Sequence, residues 1–197
     1  ALFITGNLQD TQIRMLAASP QVQMMMPERQ LTTDQCILLA QSLRRSPVIT
    51  NQGLSIEQLR AIASNLKAHR KILISGQPAE QASIISSCLQ PGTRCLIHHA
   101  LGETTIARLA ASMADRVCVY VDTAMSECKL RTLAKNLRSN TYFSVGRFCA
   151  SSRNYGNLSA TQLDAAIPCL RSGVCVYPMT DLNDEQLSSL ASKLNPS

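Results

Sequence analysis

The stretch LSIEQLRAIASNLKAHRKILIS, residues 54–75, predicts a helix followed by a short strand. Ser55 can cap the helix, and Gln58, three residues later, can reach back to complete a capping box. Leucine and isoleucine then recur at helical spacing as far as residue 66, and the apolar run 72–74 is typical of a short strand. This stretch decides the fold because the rest of the chain repeats it.

Eight copies of the unit can be aligned along the 197 residues, and recurrence at a near-constant period predicts a repeat protein. Successive units start 23, 23, 23, 24, 24, 33 and 24 residues apart. Six of the eight carry Gln four residues after the start, where a capping box needs it. Nine residues after the start stands a small residue in all units but one, which lets neighbouring helices approach closely. The units start at Leu8, Leu31, Leu54, Gln77, Leu101, Met125, Leu158 and Leu182.

A short apolar run follows each helix, and each such run predicts a strand. The runs are LFIT (2–5), VQMMM (22–26), PVIT (47–50), KILIS (71–75), RCLIH (94–98), VCVYV (117–121), TYFSV (141–145) and VCVYP (174–178). Because every strand follows a helix that follows a strand, the strands should be parallel neighbours. We therefore predict one α/β domain over residues 1–197. It is a solenoid of about eight helix–strand repeats, with a parallel sheet on one face and helices on the other.

Alternation along the strands separates core positions from positions on the open sheet face. The core-facing residues are Met26, Ile49, Ile72, Ile74, Cys95, Ile97, Val119, Val121, Phe143, Val145 and Val176. The outward residues are Lys71, Leu73, Ser75, Arg94, Leu96, His98, Cys118, Tyr120, Asp122, Tyr142, Ser144, Cys175 and Tyr177. The exposed leucines and tyrosines with charged neighbours predict a patch that binds a protein. The alternative is a row of ordinary strand-forming residues that a neighbouring segment covers.

The sixth unit is longer than its neighbours, and its surplus maps to residues 146–157. Insertions in repeat proteins lie on one face and often contribute to binding, so Arg147, Arg153 and Tyr155 are candidate partner contacts. A tolerated surface loop is the alternative. The predicted partner-binding residues are Lys71, Leu73, Arg94, Leu96, His98, Tyr120, Asp122, Tyr142, Tyr177, Arg147 and Arg153.

Composition limits the classes of function. No apolar run reaches 18 residues and no signal peptide is visible, so we expect neither a transmembrane segment nor a leader. The start of the sequence reads as a cut from a longer chain, and its first strand offers an edge to which another chain could pair. Eight cysteines without a CxxC pair predict free thiols in a reducing, cytoplasmic compartment. The oligomeric state stays open.

Charge is arranged in two rims. Basic residues cluster after helix ends and acidic residues at helix starts, so stacking places the two signs on opposite rims of the net +6 chain. The helix dipole accounts for this pattern, and binding of an anionic lipid or nucleic acid by the basic rim is the alternative. Few aromatic residues and no recognised reader motif argue against specific nucleic-acid recognition.

Nothing in the sequence predicts catalysis, a cofactor or a metal. The HExxH, GxSxG and P-loop motifs are absent. His98 and His99 are adjacent, so on a strand their side chains would point to opposite sides and could not share a metal ion. A nucleophilic pair of Cys118 with His98 would have no third group to orient it. We therefore expect no enzymatic activity.

The architecture resembles α/β solenoids of the leucine-rich-repeat type over almost the whole chain. It departs from them because no strand carries LxxLxLxxN and the asparagine of the ladder is missing. Compact, divergent repeats of this kind resemble those of effector proteins from intracellular bacterial pathogens. The resemblance implies a non-catalytic module, secreted into a host cytosol, that binds a host protein. Recognition within a larger enzyme is a further alternative.

Overall fold

The computed structural model describes residues 2–3, 9–18, 24–25, 31–42, 48–49, 54–146, 155–177 and 182–194. Arg147 and Arg153, two of the predicted contacts, lie outside these ranges. The described strands are β1 Leu2–Phe3, β2 Met24–Met25, β3 Val48–Ile49, β4 Lys71–Ile74, β5 Arg94–Ile97, β6 Cys118–Val121, β7 Tyr142–Ser144 and β8 Cys175–Tyr177. The described helices are α1 Asp10–Ala18, α2 Thr33–Ser42, α3 Ile56–Asn65, α4 Ala79–Cys88, α5 Glu103–Ala111, α6 Glu127–Asn136, α7 Ala160–Ala166 and α8 Asp184–Leu194, with a 3-10 turn at Ile167–Cys169.

The strands form one sheet in chain order from β1 to β8, and each strand is parallel to the one before it. The α/β class is thereby confirmed. The sheet is best formed from β4 to β8, where the strands are three or four residues long. Consecutive helices pack against each other on one face of it. None of the helices in the described ranges has the length and apolarity that crossing a bilayer requires.

The core lies between the helices and the inner sheet face, as alternation predicts. Ile72, Cys95, Val119 and Phe143, one from each of four neighbouring strands, are fully buried. In α2 to α6 the small residue nine positions after the unit start is buried as well, which lets consecutive helices approach, whereas Ala191 in α8 is exposed. Leu187 stands five residues after the start of its unit, as Leu59 does in the stretch 54–75, and the repeat therefore predicts it on the apolar face of α8; it is instead 47% exposed. That expectation is wrong because α8 is the last described helix, and its outer face meets no further helix among the described residues.

The glutamines at the capping positions also form hydrogen bonds to backbone carbonyl groups of earlier units. The Gln162 side-chain oxygen accepts from the Ser159 backbone N–H, and the Gln162 backbone N–H donates to Ser159 Oγ, so the predicted capping box is present. Its amide Nε2 also donates to the carbonyl oxygens of Thr123 and Met125, at 2.9 and 3.0 Å. Gln58 and Gln186 likewise donate to the first residue of the preceding unit, Leu31 and Leu158 respectively. Each of these glutamines therefore joins two units.

A row of backbone hydrogen bonds, the turn ladder, connects the turns between helices and strands. It consists of five residues with positive φ, each fifteen residues after the start of its unit. The N–H of each donates to the carbonyl oxygen of the next, over 2.7 to 2.8 Å. The members in order are His69, Gly92, Arg116, Asn140 and Gly173. The ladder satisfies backbone groups of the turns and joins the turns of consecutive units.

Candidate functional site

The outer sheet face carries a first row of side chains at the amino ends of the strands. Lys71, Arg94, Cys118, Tyr142 and Cys175 are paired in register across β4 to β8. Cys175 is exposed and the other four are partly exposed, which agrees with their predicted outward direction. Helices cover the opposite face of the sheet, so a partner could reach this row.

The second row, toward the carboxyl ends, differs from the prediction. Leu96 and Tyr120 were expected on an open face, but they are only 6% and 1% exposed. Asp122 and Ser144, predicted outward too, are also buried. The alternation is right, and the assumption of an open face is wrong here. Leu73, Cys118 and Tyr155 pack around Leu96 and Tyr120 in a second, small apolar cluster.

Tyr155 belongs to the chain between β7 and α7, and it covers this cluster. It makes an isolated antiparallel bridge with Asp122, and the neighbouring Gly156 N–H donates to the carbonyl oxygen of Val121 at 2.9 Å. Gly156 has φ +84°, and a Cβ there would collide with the carbonyl oxygen of Gly146. Only glycine fits a position with both constraints. Burial, and after it the Asp122 carboxylate, raises the pKa of Tyr155 to about 12, so its phenol is protonated at neutral pH.

The uncovered part of the second row lies at its two ends. Tyr177 on β8 is 49% exposed, and Leu73 on β4 is partly exposed. Tyr142 in the first row lies one strand from Tyr177. The exposed patch is therefore split, with tyrosines at the β7–β8 side and basic residues at the β4–β5 side.

A polar cluster lies just beyond the carboxyl ends of β5 and β6. His99 Nδ1 and Asp122 Oδ2 are 2.6 Å apart, and His98 Nε2 is 3.7 Å from the same oxygen. The centroids of the two imidazole rings are 4.2 Å apart, and the ring planes are tilted by 30° to each other. The expectation that His98 and His99 point to opposite sides is therefore wrong. Alternation applies only within a strand, and β5 ends at Ile97, so both histidines lie in the following turn.

Backbone contacts fix this cluster. Asp122 Oδ1 accepts from the Ala124 N–H at 3.0 Å, and Lys129 Nζ donates to the carbonyl oxygen of His99 at 2.7 Å. The Asp122 carboxyl is buried, which by itself raises its pKa. The hydrogen bonds from Ala124 and His99 outweigh burial and lower the pKa below the ordinary value. Asp122 is therefore ionised at neutral pH, and His99 donates to it from Nδ1.

The structure separates Cys118 from His98. Cys118 is opposite Arg94 at the amino end of β6, whereas His98 follows the carboxyl end of β5. Four residues of strand, about 13 Å, lie between the two levels. Burial raises the pKa of Cys118 despite the opposing effect of Arg94, so its thiol is not activated. Cys118 and His98 are therefore too far apart to form a nucleophilic pair.

The acidic rim and the basic rim differ in how their residues are placed on the helices. Seven of the eight described helices carry an acidic residue in the first turn, among them Asp34, Glu57 and Glu103, and the helix dipole favours this. The basic residues mostly follow the helix ends; Lys67, His69 and Arg116 lie in exposed turns. The dipole therefore accounts for the acidic rim better than for the basic one.

Two of the cysteines in the described ranges are fully buried. Burial raises the pKa of the Cys36 thiol to about 11 and that of the Cys95 thiol to about 12. Both are free and belong to the main core. Their use as small apolar residues agrees with the prediction from the repeat.

A sequence signal for the histidine–aspartate cluster existed. His98 and Asp122 each stand twenty-one residues after the start of their units, Gln77 and Leu101. Equal positions in consecutive repeats are neighbours in space, so the pair could have been predicted. His99 could not, since its direction depends on the turn after β5.

Two comparisons with known proteins give no match. No protein-family model matches the chain, and no curated protein matches it. The leucine-rich-repeat and effector resemblances therefore stay predictions.

Proposed function

We propose that the chain is a non-catalytic protein-interaction module, a solenoid similar to leucine-rich-repeat proteins. Its partner binds the uncovered part of the outer sheet face. We call this part the sheet-face surface and define it as Lys71, Leu73, Arg94, Tyr142 and Tyr177. The proposal keeps these five predicted contacts and moves Leu96, Tyr120 and Asp122 into a supporting role.

The register of the first row carries this proposal. Lys71, Arg94 and Tyr142 stand in one row on the parallel strands β4, β5 and β7, on the face that no described helix covers. Strand pairing and the turn ladder hold the backbone of this row, so its side chains are displayed on a rigid support. Arginine and tyrosine are the residues that most often dominate the binding energy of protein interfaces.

The buried second row supports that surface. Leu96 and Tyr120 pack under Tyr155, between the basic side at β4–β5 and the tyrosines at β7–β8. An apolar cluster at this place stiffens the strands from which the contacts project. Replacing a contact residue should therefore weaken partner binding without unfolding the protein, whereas replacing a supporting residue should lower stability first.

Affinity capture with a paired variant tests the proposal. Replacing Tyr142 and Tyr177 by alanine should reduce the partner retained from lysate at least tenfold, as truncation of interface hot spots does. The matched control replaces Glu127 and Arg131, an exposed ion pair of 3.1 Å on α6, by alanine. Retention equal to wild type in the tyrosine variant, with the helix control also unchanged, would contradict the sheet-face surface.

The basic rim supports a second candidate, binding of an anionic lipid or nucleic acid. Lys67, Arg116, Lys135 and Arg138 of this rim are exposed. The ion pair of Arg138 with Asp115 is long, 3.9 Å, and both of its side chains are more than half exposed. Such a pair contributes little to stability and leaves the guanidinium able to meet a phosphate. Binding through this rim should collapse between low and moderate salt, and replacing Lys135 and Arg138 by glutamate should abolish it. Binding through the sheet-face surface should survive both changes.

A further inference from the structure

We propose that His98, His99 and Asp122 form a binding site for one divalent transition-metal ion of the Zn²⁺ type. The three residues each offer a ligand atom, and these atoms lie within 4.8 Å of one another. Among the described residues this is the one group of three such side chains that comes so close. The site is separate from the sheet-face surface, and neither proposal depends on the other.

The donor set suits such an ion. Two imidazole nitrogens and one carboxylate oxygen are ligands that zinc, iron and their neighbours accept, while magnesium and calcium prefer oxygen alone. The carboxylate is almost fully buried and already accepts the Ala124 N–H through Oδ1. Oδ2 is thus the oxygen that faces the histidines, and the Ala124 bond holds the carboxylate in that orientation.

The distances require only side-chain movement. Ligand atoms of a tetrahedral ion with bonds of about 2.0–2.1 Å lie about 3.3 Å apart. His98 Nε2, at 3.7 Å from Asp122 Oδ2, must approach by a few tenths of an ångström. His99 Nδ1, at 2.6 Å, must withdraw by about 0.7 Å, which breaks its hydrogen bond. Rotation of an exposed imidazole in a turn can supply both shifts.

Both imidazole nitrogens that would bind the ion carry a proton in the metal-free protein. The Nδ1–H of His99 points at Asp122, and His98 Nδ1 accepts the Ala100 N–H at 3.1 Å, which leaves its proton on Nε2. On binding, each ring moves its proton to the other nitrogen and gives a lone pair to the metal. No net proton is released, and the Ala100 N–H loses its imidazole acceptor. The backbone amide of Ala100 is therefore a reporter of binding.

The site leaves coordination positions open. His99 is 45% exposed and His98 is 29% exposed, so water can complete the shell of an ion held by three protein ligands. Three ligands with an open position are typical of zinc sites that activate water or bind an outside group, whereas purely structural zinc sites use four. The ion would tie the turn after β5 to the end of β6.

Titration with Co²⁺, whose absorption is visible where that of Zn²⁺ is not, tests the site in the untagged protein of residues 1–197. We expect saturation at one ion per chain with visible d–d absorption and no thiolate charge-transfer band, and Zn²⁺ should displace the Co²⁺. His99→Gln and Asp122→Asn should each weaken binding by more than tenfold, since losing even an outer-shell partner costs about ten- to a hundredfold. The chain holds three histidines, so His69→Asn is the matched control and should bind like wild type.

Paramagnetic broadening by Co²⁺ provides a second readout that needs no variant. The backbone amides of Ala100 and Ala124 should broaden first, and that of Ala63, buried in α3, should not. Three results would overturn the site: no saturable binding, a thiolate band showing that cysteines hold the ion, or full binding in folded His99→Gln and Asp122→Asn proteins. The last result would leave His99 and Asp122 as a structural hydrogen-bonded pair.

Discussion

His99 Nδ1 donates to Asp122 Oδ2 over 2.6 Å and so joins the turn after β5 to the end of β6. The same carboxylate accepts the Ala124 N–H. In Asp122→Asn the side chain has one oxygen that accepts and one NH₂ group that only donates. The NH₂ group would face either the His99 Nδ1–H or the Ala124 N–H, so one of these two hydrogen bonds must be lost. We expect Asp122→Asn to lower the free energy of unfolding by about 1.5–3 kcal/mol, the range for hydrogen bonds to charged groups.

Urea denaturation in the presence of a chelator measures this change without any metal contribution. Asp115→Asn is the control, because Asp115 is 55% exposed and its ion pair is long. It should change stability by less than about 0.5 kcal/mol. Equal effects of the two substitutions would show that the Asp122 contacts do not hold the strand ends together.

Tyr155 covers Leu96 and Tyr120, so removing its side chain should destabilise the folded protein. Tyr155→Ala should lower the free energy of unfolding by about 2–4 kcal/mol, because a large partly buried side chain leaves and exposes an apolar pair. Tyr177→Ala is matched in chemistry, but Tyr177 is half exposed and should cost less than about 1 kcal/mol. Thermal unfolding of the two proteins compares them directly, and a ranking with Tyr177→Ala as the less stable would contradict the cover.

A substitution that changes one atom separates the two roles of Gln162, which caps its own helix and donates to carbonyl oxygens of earlier units. Gln162→Glu keeps the acceptor for the Ser159 N–H and removes the amide that donates to Thr123 and Met125. A carboxylate beside two carbonyl oxygens should lower the free energy of unfolding by about 1–3 kcal/mol. The control is Gln81→Glu in the unit whose helix α4 has Pro78 as its N-cap residue, because proline has no N–H for a capping box. There the change should be close to zero, and equal losses at both positions would disprove a specific ladder.

The turn ladder predicts opposite effects at two of its members. Gly92→Ala introduces a Cβ at φ +80° and 3.3 Å from the Cβ of Ala68, so we expect a loss of about 1–2 kcal/mol. Arg116→Gly removes a side chain from φ +59° and should leave stability unchanged or raise it by up to about 1 kcal/mol. Denaturant unfolding of both variants measures the pair. Destabilisation by Arg116→Gly larger than that by Gly92→Ala would contradict the conformational account.

Much of the scaffold could be predicted because it is periodic. Ser55 with Gln58, and Ser159 with Gln162, form the capping boxes that their spacing indicates. The fully buried Phe143 confirms the inward row. The turn ladder was missed although Gly92 and Gly173 recur at one position, because His69 and Arg116 occupy the same position and hide the pattern.

What could not be predicted depends on contacts that no period encodes. Tyr155 covers the sheet because Gly146 and Gly156 approach each other, and nothing repeated in the chain signals that approach. The contact between the His98 and His99 rings follows from the strand ending at Ile97 rather than one residue later. An error of one residue in a strand end is enough to hide a site of this kind.

Site-specific photo-cross-linking tests the proposed binding surface most directly. A benzophenone amino acid placed at Tyr142 or Tyr177, in separate proteins, should give the same discrete cross-linked partner protein in lysate at moderate salt. The same group at Arg131, on the exposed side of α6 and 51% exposed, should not give that product. A partner cross-linked from position 131 or from Arg138 on the basic rim, but not from positions 142 and 177, would contradict the sheet-face surface.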